Sequence, residues 1–175
     1  MEHNSAILLI DFQNDYLPSG AFELENTDEV IKNTLQIIEY TKKKQIPIFH
    51  IQHIADPNLG LAPFFNIDTP GVEIINVIMK AAPDSQIIVK HYADSFEQTS
   101  LDDHLKQLGI RELYLAGMMT QNCVTHTALS LKAIEYKINV ISDACTTVNF
   151  LLHQIALHAL SSRVNITDSA TFLAK

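Results

Sequence analysis

The sequence predicts a three-layer α/β/α domain, with helices covering both faces of about six parallel strands. Short apolar runs alternate with longer amphipathic segments, the pattern of βαβ units joined by right-handed crossovers. The runs are apolar throughout rather than alternating, as strands are when both sheet faces are covered. The 175 residues, 47% hydrophobic and 18% charged, suffice for one full-sized core, so residues 1–175 are read as a single domain.

The elements follow in order. Residues 6–10 (AILLI) read as a buried strand. Asp28 can cap a helix through residue 43, with Val30, Ile31, Leu35 and Ile38 at helical spacing. A second strand covers 47–51, and Thr69 or Gly71 opens a short helix over 72–81. A third strand covers 86–89. Thr99, Ser100, Leu101 and Asp102 open a helix that ends at Gly109, a natural C-cap. The fourth strand, 112–116, leads to a helix from Cys123 to about residue 137. A fifth strand over 138–141, a helix over 150–162 and a sixth strand over 164–167 complete the chain. Residues 13–27 and 52–70 lack periodicity and read as binding loops over the carboxyl edge of the sheet.

Composition narrows the function. The formal net charge is −8, and Lys42, Lys43 and Lys44 form the only basic run, at a helix end where cations suit the dipole. No nucleic-acid partner is expected. No apolar run is long enough to span a bilayer, so no membrane role is expected. The first five residues lack the basic start of a signal peptide, and two cysteines are too few for a disulfide framework. A cytoplasmic setting is the simplest expectation.

Cys123 carries the most chemical information. It sits where a strand gives way to a helix, where unpaired N–H groups and the helix dipole lower a thiol pKa and can hold an oxyanion. Asp11 ends the first strand and Lys90 the third, at the edge where open parallel sheets bind ligands. A cation populates the thiolate, and a carboxylate takes the thiol proton and passes it to a leaving amine. Nucleophile, acid/base and cation together describe an amide hydrolase.

The segments 9–16 (LIDFQNDY), 90–96 (KHYADSF), 117–124 (GMMTQNCV) and 142–147 (SDACTT) occur in an order that resembles the isochorismatase-like cysteine hydrolases, which include nicotinamidases and N-carbamoylsarcosine amidases. The resemblance spans nearly the whole chain. It implies a Rossmann-like parallel sheet in the order 3-2-1-4-5-6 and an Asp11–Lys90–Cys123 triad. It also implies a cis peptide joining Met118 to Met119, with the Met119 and Cys123 N–H groups as the oxyanion hole. The implied reaction passes through a thioester and needs no cofactor. Relatives of isochorismatase type lack the cysteine and cleave a vinyl ether, so Cys123 favours C–N hydrolysis. In the implied strand order the third and fourth strands lie three spacings apart, roughly 14 Å at about 4.8 Å each, so geometry read from sequence leaves the Lys90–Cys123 contact unproven.

Other residues have weaker readings. Nicotinamidases carry a metal site after the second strand, but His50 and His53 are three apart and point to opposite faces of a strand, so no metal is expected. His50 is expected to pack and His53 to line the pocket mouth. Candidate substrate contacts are Phe12, Gln13, Tyr16, His53, Phe64, Phe65, Tyr92, Phe96 and Gln121, with Phe12 and Phe96 equally readable as core. Gln121 and Asn122 either orient the nucleophile or cap its turn, and Asp94 either meets a cationic group or caps Ser95 and Phe96. His126, His153 and His158 read as structural, solvent or interface residues, and Cys145 as a buried small residue. Leu129 stands where many relatives carry an arginine. The apolar last two helices suggest a homo-oligomer, dimer or tetramer. A non-catalytic binding protein is the competing class.

Overall fold

The computed structural model describes residues 4–175. Six strands, β1 (Ser5–Ile10), β2 (Ile48–His53), β3 (Gln86–Lys90), β4 (Glu112–Met118), β5 (Lys137–Thr146) and β6 (Asn165–Thr167), form one parallel sheet in the order β3-β2-β1-β4-β5-β6. The chain steps outward from β1 to β3, then returns to β4 on the other side of β1. The order therefore reverses between β1 and β4, which opens a crevice beyond their carboxyl ends.

Side chains alternate across β1 with period two, and each face meets its own helices. Ile7 and Leu9 pack with Val30, Ile37 and Ile38 of α1 (Thr27–Lys43), Ile78 of α2 (Asn76–Ala81) and Phe172 of α6 (Ser169–Leu173). Ala6, Leu8 and Ile10 pack with Leu101 and Leu105 of α3 (Leu101–Gln107), Ala128 of α4 (Thr125–Ala128), and Leu157 and Leu160 of α5 (Phe150–Leu160). This is the three-layer arrangement expected from the apolar runs. Among the described residues no helix is long and apolar enough to cross a membrane.

Two helices differ from expectation. The helix expected from Cys123 to about residue 137 is instead a π turn (Thr120–Val124), the single helical turn α4, and a separate 3-10 turn (Lys132–Glu135). Val124, Thr125 and Thr127 are β-branched and hold helix weakly. The Ser130 hydroxyl then accepts the Lys132 N–H, which interrupts the backbone ladder. Leu131 and Ile134 point to solvent, so no apolar stripe holds a longer helix together. The helix expected over 72–81 starts only at Asn76. Upstream of it, the Asn14 N–H donates to Glu73 O, the Ile75 N–H donates to Phe12 O, and Gln13 bridges to Ile74. Residues 73–75 thus serve as an extended brace for the loop after β1.

At the crevice, β1 and β4 approach closely. Gly117 pairs with Ile10 and has φ 145°, and a Cβ there would overlap the Ile10 carbonyl. Gly109 also has positive φ, 67°, but opens onto free space. Gly117→Ala is expected to lower stability by about 2 kcal/mol or more, against about 1 kcal/mol for Gly109→Ala, read from urea unfolding.

Candidate active site

Four strand ends converge at the crevice. β1 delivers Asp11, whose φ of 53° turns the chain away while its N–H still donates to Ile51 O. β2 ends on His53, and its register neighbour Lys90 ends β3. β4 leads into Met118–Met119, joined by a cis peptide, and then into the turn that holds Cys123.

The Lys90 ammonium sits at the centre. Its Nζ lies 3.0 Å from Asp11 Oδ2, 3.0 Å from His53 Nδ1, 3.1 Å from Tyr92 O and 3.2 Å from Cys123 Sγ, four acceptors for three hydrogens. Lysine spans the sheet because Cys123 lies beyond β4, in a turn that carries its thiol back over the end of β1. Asp11, Cys123 and His53 offer atoms within 4.8 Å of one another. Asp11 and Lys90 are fully buried and Cys123 is 1% exposed. Asp11 Oδ1 is buried without a hydrogen-bond partner among the described residues.

Burial works to lower the Lys90 pKa, but Asp11 and Cys123 outweigh it, so the ammonium is held above its ordinary range. Burial pushes the Cys123 thiol up, Asp11 adds to the rise, and Lys90 opposes it. The expectation of a lowered thiol pKa is thereby corrected. Cys123 occupies a short turn rather than the start of a long helix, and the charge pair beside it sums to zero. Moving its proton to Asp11, however, brings no net charge into the buried centre.

Burial and Lys90 push the His53 pKa down to about 4, against a smaller opposing effect of Asp11. Its imidazole is therefore neutral near pH 7. His50 is buried elsewhere, with Nε2 3.0 Å from Ala82 O. Although Asp11, His53 and Cys123 could ligate a cation, the Lys90 ammonium lies within 3.2 Å of an atom of each and takes that place itself.

The two loops are tied over this centre by polar side chains. Gln13, expected at the substrate, is engaged with backbone groups instead. Its amide donates to His53 O and Val72 O and accepts the His53 N–H, each at 2.8 Å. Asp15 accepts the Phe65 N–H at 2.6 Å and the Ala21 N–H at 3.3 Å, so it clasps one loop to the other. Gly71 leaves it room, since a Cβ there would overlap its carboxylate. Around the clasp pack Tyr16, Phe22, Phe64 and Phe65, with Tyr16 and Phe65 centroids 4.7 Å apart and Phe65 5.7 Å from the His53 ring. Burial holds the Tyr16 phenol protonated, reinforced by the nearby charges of Asp11 and Cys123.

Several expected contacts fall elsewhere. Phe12 belongs to one core, and Phe96 to the other, where it stacks on Tyr136 at 6.0 Å. The Tyr92 side chain is half-exposed and its hydroxyl accepts from Gln98, while its backbone carbonyl enters the centre. Asp94 caps the Phe96 N–H at 2.9 Å. Gln121 donates to Met119 Sδ, and its buried Oε1 has no partner among the described residues. His126 bonds Asn122 O in its own turn. The Thr120 hydroxyl donates to Thr146 O, so it accepts from His153 Nδ1 at 2.8 Å, which ties α5 to the cysteine turn. Cys145 is buried, with Leu115 O as its partner. Sequence reasoning missed the Asp15 clasp and the Tyr92 carbonyl. The first had a signal, a second acid four residues after Asp11. The second had none, because backbone groups are invisible in composition. A cleft of about 580 Å³ between α1, β5 and α5, lined by Glu25, Glu29, Asp143, Phe150, His153 and His158 among others, does not reach Asp11, Lys90 or Cys123.

Comparison with known proteins agrees with this architecture. A family model described as the isochorismatase domain matches residues 5–171. The uncharacterized isochorismatase family protein YddQ of Bacillus subtilis is 36% identical over 143 residues, covering 82% of this chain and 78% of that protein. A nicotinamidase of Escherichia coli is 27% identical over 178 aligned positions, covering 82% and 84%. The structure of an isochorismatase-like hydrolase from Alkaliphilus metalliredigens superposes with a TM-score of 0.88 at 26% identity, covering 98% and 95%.

Two stability measurements test the centre. Lys90→Met, which strands Asp11 in a buried site, is expected to cost about 3–5 kcal/mol in urea unfolding, and adding Asp11→Asn to recover part of that loss. His53 takes up its proton at about pH 4 folded and about 6.5 unfolded, so between these values the unfolded state binds more protons. Stability is expected to rise with pH across that window by up to about 3 kcal/mol, and to be lost as pH falls. His53→Leu should flatten the dependence.

Proposed function

This chain belongs to the isochorismatase family, and we propose that within it the chain is a cysteine-dependent hydrolase of a small amide or carbamoyl compound. The observation that carries this reading is the single ammonium of Lys90, which bridges a buried carboxylate and a buried thiol. Asp11 is the base, and its unpartnered Oδ1 has a free lone pair for the Cys123 proton. As that proton moves, Lys90 stabilises the thiolate left behind. Sulfur attacks the carbonyl carbon, and the oxyanion is held by the N–H groups of Met119 and Cys123. Asp11 returns the proton to the leaving nitrogen, the C–N bond breaks, and a thioester remains on Cys123. Water gives a proton to Asp11, its oxygen adds to the thioester, and the acid departs as Cys123 is reprotonated.

The partly exposed Phe64, His53 and Gln121 are the substrate contacts of this reading, with Tyr16 and Phe65 buried against Phe64, and they suit a small planar substrate. The relatives named for nicotinamide hydrolysis support C–N chemistry, as does the retained cysteine. A homo-oligomer is part of the proposal, because Phe150, Leu151 and Ile155 of α5 are exposed.

Ammonia release from a panel of small amides, including nicotinamide and carbamoyl compounds, tests the reading. The best substrate should lose at least about a thousandfold in kcat/KM in Cys123→Ala, and comparably in Asp11→Asn and Lys90→Met. Release that survives in Cys123→Ala would overturn it.

A further inference from the structure

We propose that His53 is a positioning residue for this reaction, holding the Lys90 ammonium in place so that one of its hydrogens can pass from Asp11 to Cys123. The proposal rests on the hydrolase reading above.

An ammonium carries three hydrogens and no lone pair. Lys90 faces four acceptors, namely Asp11 Oδ2, His53 Nδ1, Tyr92 O and Cys123 Sγ, all within 3.2 Å. Lys90 can only donate to His53, so Nδ1 is an acceptor and the imidazole proton lies on Nε2. Burial and the Lys90 charge support this by keeping the ring neutral near pH 7. The arrangement divides the acceptors into two kinds. His53 Nδ1 and Tyr92 O do not change their charge during catalysis. Asp11 and Cys123 do, since the carboxylate is neutralised as the thiol becomes an anion. Two fixed acceptors hold the ammonium, and the third hydrogen follows the negative charge from oxygen to sulfur. Without His53 only Tyr92 O anchors the ammonium, which can then swing onto the Asp11 carboxylate, and the thiolate loses part of its support.

The fold fixes His53 for this task. Its backbone N–H and carbonyl are both bonded to the Gln13 amide at 2.8 Å, and its ring lies against Phe65. Its side chain is 20% exposed, whereas those of Asp11 and Lys90 are at 0%. The His91 backbone also engages the ring. Nδ1 thus meets Lys90, at 3.0 Å, from a fixed ring.

His53→Asn keeps an acceptor near the Nδ1 position, and His53→Leu keeps none. The readout is the rate of Cys123 alkylation by iodoacetamide from pH 6 to 9, followed by mass spectrometry, with Cys145 as the internal reference. His53→Leu is expected to slow Cys123 alkylation about tenfold near pH 7.5 and to move its pH profile upward. His53→Asn is expected to stay within about threefold of wild type. On any amide that wild type hydrolyses, His53→Leu should lower kcat with KM little changed. Urea unfolding checks that both variants fold. If Cys123 in folded His53→Leu alkylates with the wild-type rate and profile, the positioning role is overturned. So it is if Asn and Leu slow the reaction equally. Absence of ammonia release by wild type would instead remove the hydrolase reading, and the alkylation comparison would still decide the role of His53.

Discussion

One buried ammonium organises this protein. Lys90 carries its charge into the interior, beside a carboxylate and a thiol that are also buried. Such a charge is tolerable only when every hydrogen has an acceptor and the counter-charge is close. That requirement explains why β2 must end on His53, why β1 must end on Asp11, and why the chain after β4 must fold back rather than continue upward. The switch point of the sheet supplies the space, and Gly117, pressed against the Ile10 carbonyl, lets β1 and β4 close around it.

The loops serve the same constraint from above. Gln13 fixes the backbone of His53, and Asp15 fixes the backbone of Phe65, so each loop is held by a side chain of the segment after β1. Residues 73–75 brace that segment from the other side. The cysteine turn is anchored separately, by Thr120 to Thr146 and to His153 of α5. The reacting groups therefore rest on strand ends and on side-chain bonds to backbone, not on a long helix.

Much of this was legible in the sequence, because hydrophobic burial writes a periodic signal. All six strands could be placed from apolar runs, although β2 and β3 reach one or two residues further, to His53 and Lys90, than apolarity alone indicates. Those last residues are polar because they belong to the site. β5 likewise extends to Thr146, past Asp143, because a bulge between Leu115 and Gly117 lets it resume pairing with β4. The helix after Cys123 was misread because its composition suits a helix while Ser130 and the β-branched run break it. The thiol pKa was misread because helix-end logic ignores desolvation, which is the largest effect on Cys123. Gln13 binds backbone and Phe96 packs in a core, and a side chain that does either looks the same in sequence as one that binds a ligand.

The most direct test of the central claim is a 1H–15N correlation spectrum of the lysine side-chain ammonium groups at neutral pH. The account predicts one ammonium signal protected from exchange with water, absent in Lys90→Met and broadened or lost in Asp11→Asn, because its hydrogens are shared among buried acceptors. A spectrum in which no lysine ammonium is protected, or in which the protected signal survives Lys90→Met, would contradict it.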